Sequence, residues 1–290
     1  MRSAWLLLWV VPALWSSNYL IARMASGVIA PHQLALGRWS LALALMLPFV
    51  AGELRTRWDE WRCQWWQLLV LGGLGMWICG AFVYQGGQGT SAVNIGLIYA
   101  VTPVVIAVAG ARLLHERLLP AQVAGLVLAV VGVVFVVLRG DVQNLMHLRL
   151  LPGDGWIAAA AVSWVGYSLL LRHWTSTLSP LARLAAITGG GIVVLVPFTL
   201  AEAMLVDTPS IGGSALVLVA VAAVVPGVLA YGAYSLLQRE LGASRTALLM
   251  YLTPVYGALL AWAVIGERPS WFHAAGAALI LPGIWLATRR

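Results

Sequence analysis

Residues 92–132 read AVNIGLIYAVTPVVIAVAGARLLHERLLPAQVAGLVLAVVG, and residues 243–283 read ASRTALLMYLTPVYGALLAWAVIGERPSWFHAAGAALILPG. With Thr102-Pro103 laid on Thr253-Pro254, Glu116-Arg117 falls on Glu267-Arg268, Gly125 on Gly276 and Gly132 on Gly283, without a gap. Each copy is an apolar helix with Thr-Pro in its middle, a Glu-Arg corner, and a second apolar helix studded with small residues. A weaker echo upstream pairs Trp15 with Trp164 and Arg23 with Arg172. Internal repetition of this kind sets the architecture before any motif is weighed. The chain is two related halves, residues 1–140 and 141–290.

Composition fixes the solvent. Apolar residues make up 61% of the chain and charged residues 9%, against roughly 25% charged in a soluble domain. Charged and Gly/Pro-rich breaks leave ten apolar segments, at 4–23, 33–51, 65–85, 91–112, 121–138, 155–173, 180–201, 214–237, 244–265 and 270–288. Most are near the ~20 residues that cross a bilayer. The expected fold class is therefore all-α, a polytopic membrane protein of ten transmembrane helices. Five segments per half is an odd number, so the second half is inverted in the bilayer relative to the first, a 5+5 inverted repeat.

The net charge of +7 and the pI near 10.0 suggest nucleic acid at first sight, but the distribution argues against it. The chain has no lysine, and its basic residues are all arginine, scattered at segment ends. With the N-terminus inside, Arg2, Arg55, Arg57, Arg62, Arg112, Arg117, Arg172, Arg239, Arg245, Arg289 and Arg290 fall on the cytoplasmic side. Only Arg23, Arg139, Arg149 and Arg268 fall outside. That bias is a topology signal, placing both termini in the cytoplasm. Cys63 in a loop and Cys79 within a span lie at different depths, so no disulfide is expected. The first segment is retained rather than cleaved, because it is long, holds Pro12 and has a partner in the second half.

Polar and aromatic residues inside the spans are the candidates for function. Asn18 cannot face lipid cheaply, so it faces the bundle, either bonding another helix or lining a path. Arg38 sits one or two turns inside its span, where it either snorkels or contacts a helix, or else meets a substrate carboxylate. Trp77, Gly80 and Tyr84 share a face at helical spacing. Pro103 and Pro254 free the carbonyls of Tyr99 and Met250 at matching points of the two repeats, and matched interruptions of this sort point to a carrier's binding site. These two prolines are the candidate hinges. Gly189-Gly190-Gly191 is a candidate bend.

Several motifs carry no chemistry. Gly87-x-Gly89-x-x-Ala92 lacks the strand that would make it a dinucleotide fingerprint, and His115-Glu116 lacks a second histidine for zinc. No carboxylate or histidine lies near the middle of a span, whereas ion-coupled carriers usually place one there. No nucleophile-base pair or metal cluster supports an intramembrane enzyme. A scaffold or channel subunit would leave the matched broken helices unexplained. The remaining lining of rings, hydroxyls and amides suits small amphipathic solutes carried by a uniporter or exporter.

The Ala-Leu-Trp-Ser-Ser-Asn-Tyr run at 13–19, Arg38-Trp39, Thr102-Pro103 and the Glu-Arg corner resemble the EamA-type drug/metabolite transporter superfamily. Ser16 stands where that family has glycine, and Trp39 where it has phenylalanine. Within the superfamily the chain is most similar to YddG-type exporters of aromatic amino acids. The resemblance implies a ten-helix basket whose cavity is lined by helices 1, 3, 4, 6, 8 and 9, with helices 5 and 10 packed aside. It implies export of an amino acid or related metabolite across a bacterial inner membrane; the alternative is a broad drug/metabolite exporter. Mapped onto this chain, the lining candidates are Trp15, Asn18, Tyr19, Trp77, Tyr84, Tyr99, Trp164, Tyr167, Tyr231, Tyr234 and Tyr251. No cofactor or metal, no nucleic acid and no obligatory protein partner is expected, only a small-molecule substrate and membrane lipid.

Overall fold

A computed structural model describes residues 2–115, 119–266 and 268–288, excepting the side chains of residues 2–5, 19, 23, 92, 261, 265 and 288. The Glu116-Arg117 corner and Glu267 lie outside the described residues. Ten apolar helices follow one another: α1 Arg2–Ala25, α2 Pro31–Thr56, α3 Trp65–Gly87, α4 Ala92–Leu113, α5 Pro120–Val137, α6 Asp154–His173, α7 Pro180–Leu205, α8 Gly213–Leu241, α9 Ala243–Val264 and α10 Trp271–Thr288. Among the described residues there is no strand. The eight helices α2 to α9 are long and apolar enough to cross a membrane, and α1 and α10 contribute the shorter apolar stretches Leu6–Ala22 and Trp271–Ala287. Outward faces stay apolar, with Phe49, Val162, Val193 and Leu216 exposed. A surface of that kind is stable against lipid and not against water.

Helix starts follow from local chemistry. Proline opens α2, α5 and α7, where its missing N–H would have had no partner anyway. Ser91 caps α4 by accepting from the Asn94 amide, and Ser179 caps α7 by accepting from the Ala182 amide. Interruptions have a less obvious distribution. Helix α4 continues through Pro103 without a change of type, and α9 passes from a 3-10 turn at Leu248–Leu252 into Pro254. The matched departures lie one helix earlier in each half. There, π-helical turns occupy Gly73–Ile78 of α3 and Ala223–Leu229 of α8. Gly189-Gly190-Gly191 makes no break in α7. Its glycines serve close approach instead: a methyl group on Gly190 would lie 2.6 Å from the Leu68 carbonyl oxygen, and one on Gly191 2.7 Å from the Met76 Cβ.

Pairs of equivalent helices join the halves, α5 with α10 and α2 with α7 among them. The pairing of α5 with α10 is the most extensive helix contact in the molecule. In it a methyl group on Gly132 would lie 2.9 Å from the Gly276 carbonyl, and one on Gly283 2.8 Å from the Gly125 carbonyl. Numbering rises along α5 as it falls along α10, so these equivalent helices are antiparallel and the halves are inverted. Each glycine meets the repeat partner of the other, the self-complementary pattern of a two-fold contact. Helices α2 and α7 form another such pair, pinned at both ends. Glu202 of α7 accepts the His32 amide at 3.0 Å and the Gln33 amide at 3.3 Å, and meets His32 Nδ1 at 2.9 Å. At the other end Glu53 of α2 accepts the Ser179 amide and hydroxyl, both at 2.6 Å. Carboxylates here satisfy the unpaired N–H groups of helix starts.

Candidate functional site

Where the halves meet, the aromatic residues of α1, α6 and α8 converge. Trp15 and Trp164, the two tryptophans that correspond in the repeat, stand edge to face with ring centroids 5.2 Å apart. Trp15 also packs against Tyr234 at 5.0 Å and Tyr231 at 5.9 Å. Tyr167 backs Trp164 in a stacked arrangement at 5.2 Å. Edge-to-face and offset-stacked rings are the favoured geometries of aromatic quadrupoles, so this cluster is both apolar and orientationally specific.

Beside it lies a cavity of about 80 Å³. Trp15 and Asn18 come to its wall from α1, Arg38 from α2, Cys79, Gly80 and Val83 from α3, Tyr99 from α4, Trp164 from α6, Tyr231 from α8, and Met250 and Thr253 from α9. Six of these helices are those the resemblance implied, and α2 is added through Arg38. Among the described residues, helices α5 and α10 contribute nothing to the wall, in keeping with their packing on each other.

Arg38 does not snorkel. It is 3% exposed, and its Nη1 donates to the Tyr84 hydroxyl at 3.1 Å and to Asn18 Oδ1 at 3.3 Å. Its Nη2 donates to the Pro226 carbonyl at 3.1 Å. Tyr84 in turn donates to Asn18 Oδ1 at 2.7 Å. The guanidinium carbon sits 4.5 Å from the Trp39 ring centroid and 5.8 Å from that of Tyr231, close enough for cation–π attraction. No carboxylate lines the cavity among the described residues.

Both π-helical turns serve this centre. Their irregular backbone leaves carbonyls open to side-chain donors: Tyr231 donates to the Gly75 carbonyl at 3.1 Å, and Arg38 to that of Pro226. Gly75 lies against Tyr167, whose ring a methyl group there would overlap at 2.8 Å. The turns thus bring α3 and α8 to the same cluster from opposite sides.

The other candidates are distributed as follows. Tyr234 is fully buried behind Trp15, sharing hydrogen bonds with Ser168 and Gln238, each at 2.8 Å. Trp77 turns to α7, stacked on Phe198 at 3.7 Å. Tyr251 packs against α4, donating to the Ala100 carbonyl at 3.0 Å. The side chain of Tyr19 lies outside the described residues. Cys79, Gly80, Val83, Met250 and Thr253 are wall residues that were not named as lining candidates. Gly80 carried a signal through the face it shares with Trp77 and Tyr84, and Met250 and Thr253 through the break at Pro254; Cys79 and Val83 carried none. Cys63 and Cys79 are free thiols, and among the described residues no group of His, Cys, Asp and Glu could hold a metal ion.

A helical bundle of two inverted repeats, closing on a buried aromatic and polar chamber at its centre, defines a membrane carrier. The sequence matches the EamA-like transporter family over residues 2–138 and 151–289, and the chain belongs to that family. It is 27% identical to the uncharacterized transporter YyaM of Bacillus subtilis, over 94% of this chain and 89% of that one. It is 24% identical to the probable terminal-alkyne amino-acid exporter of Streptantibioticus cattleyicolor, over 100% and 94%. With the probable amino-acid metabolite efflux pump of Salmonella typhimurium it shares 28% identity over 61% and 60%. One solved crystal structure superposes with a TM-score of 0.77 at 23% identity, covering 99% of this chain and 97% of that one, which establishes the shared fold. The protein is a multi-pass membrane transporter for small molecules.

Proposed function

We propose that this transporter exports small amphipathic metabolites, aromatic and neutral amino acids foremost, from the cytoplasm by alternating access through the central chamber. The observation that carries the proposal is the ring cluster of Trp15, Trp164, Tyr231 and Tyr234 beside a cavity whose other polar groups are an amide, hydroxyls and one guanidinium. Such a wall grips an apolar or aromatic side chain by stacking and leaves a few fixed groups for its polar end. Two relatives, one named a probable amino-acid metabolite efflux pump and the other a probable terminal-alkyne amino-acid exporter, support this substrate class.

A cavity of about 80 Å³ is smaller than the ~150 Å³ that accommodates benzene. That small free volume supports a site that widens as the helices move on loading, as alternating access requires. Pro103 and Pro254, the candidate hinges, stand on α4 and α9 beside the wall residues Tyr99 and Thr253. Among the described residues the wall holds no carboxylate or histidine, which favours a uniporter or exporter over an obvious cation-coupled pump.

Counterflow of labelled phenylalanine, tryptophan and threonine into proteoliposomes, with and without a pH gradient, tests this. The expected result is uptake that unlabelled aromatic amino acids compete away and that needs no gradient. Uptake of drug-like cations with none of any amino acid would overturn the substrate class in favour of broad drug export.

A further inference from the structure

We propose that Arg38 is the anion anchor of the central chamber, holding the carboxylate of the substrate, so that the carrier selects solutes with a free carboxylate over their neutral or cationic analogues. The inference rests on the reading of this chamber as the binding site. A guanidinium carries five N–H groups, and the three hydrogen bonds of Arg38 all go to neutral acceptors. Its Nε is buried without a partner. The spare donors are the Nε–H and one Nη2–H, along the edge that a carboxylate bridges with two parallel hydrogen bonds, and in this structure that edge faces the α8 backbone at Pro226 and Gly227. A buried cation without a counter-ion is costly to maintain, and the ring faces of Trp39 and Tyr231 offset only part of that cost. The described cavity wall supplies no acidic side chain to complete the pair. A bound anion would complete it.

The three existing bonds also fix how the anion is received. Asn18 and Tyr84 hold Nη1 from α1 and α3, which orients the plane of the guanidinium. The Nη2 bond crosses to α8 at Pro226, within its π-helical turn. Parting of α2 and α8 on loading releases that donor beside the unpartnered Nε, and the fork becomes whole when the chamber is wide enough to fill. The rings of Trp15 and Trp164 then take the apolar end of the same molecule.

The test uses matched pairs that differ only at the anion: phenylpropionate against phenylpropionamide, and phenylalanine against phenylalaninamide. Binding to the purified full chain is read by thermal shift, with phenylalanine counterflow measured in parallel. The wild type should bind each acid about ten- to a hundredfold more tightly than its amide, the scale of a charge-assisted pair. Arg38→Gln should abolish the preference while Trp164-dependent binding of the neutral amide persists, and Arg38→Lys should keep a reduced preference. Equal binding of acid and amide by the wild type overturns the proposal even if Arg38→Gln does not fold. So does an unchanged preference in a folded Arg38→Gln protein. Counterflow without acid preference leaves the export reading standing and this one fallen; preference without amino-acid counterflow does the reverse.

Discussion

At the scale of single residues, the chamber shows what an apolar sequence reveals and what it hides. Trp15, Asn18 and Trp164 were legible because polar or large amphipathic groups inside a span have few cheap places to go. The depth of Arg38 was legible, but its direction was not: snorkelling and inward pointing start from the same position, and Asn18, Tyr84 and Pro226 decide between them. Trp77 was placed by helical spacing and Tyr251 by the family resemblance, and they sit on a π-helical and a 3-10 turn, respectively. A 3.6-residue period loses its register across such turns. Trp77 accordingly faces α7 while Gly80, one turn later, reaches the cavity. Trp164→Ala, which removes the ring at the centre of the cluster, should cut transport at least about tenfold at normal membrane abundance, whereas Trp164→Phe should retain much of it; quantitative counterflow checks both. Tyr84→Phe removes a donor to Asn18 and an acceptor of Arg38, and should cost about 1–3 kcal/mol, seen as a lower melting temperature of the purified protein.

At the scale of helices, small residues act by position rather than by number. Gly132 of α5 faces the Gly276 carbonyl, so Gly132→Val should overpack the seam by at least about 1–3 kcal/mol and reduce the monodisperse protein recovered from membranes. A methyl group on Gly257, in α9, would meet nothing within 4 Å, so Gly257→Ala should leave that recovery unchanged. The sequence announced the α5–α10 glycines because both repeats carry them. It held no comparable warning of the π-helical turns, whose extra backbone residue has no side-chain signature beyond nearby Gly73, Gly75 and Pro226. Deleting Leu74 should turn the first of these into ordinary α-helix with Tyr84 kept on its face, closing the irregular backbone whose Gly75 carbonyl accepts from Tyr231. The expected protein inserts into the membrane but has no counterflow activity, while deletion of an exposed connector residue such as Met146 is tolerated.

At the scale of the whole molecule, the arginine distribution proposes an orientation that the bundle itself leaves open. Cys63 lies exposed beyond α2, so a membrane-impermeant thiol reagent should label it in inside-out vesicles and not in right-side-out ones; the opposite pattern would invert the topology. The seam between α5 and α10 carries a further consequence. One patch of a five-helix unit meets the same patch of its inverted counterpart, so the covalent connector adds proximity more than it adds a binding surface. Severing the chain between Met146, which is 86% exposed, and His147 should therefore yield two fragments that find each other in the bilayer and co-purify. In that sense the protein packs like a dimer whose two subunits share one polypeptide.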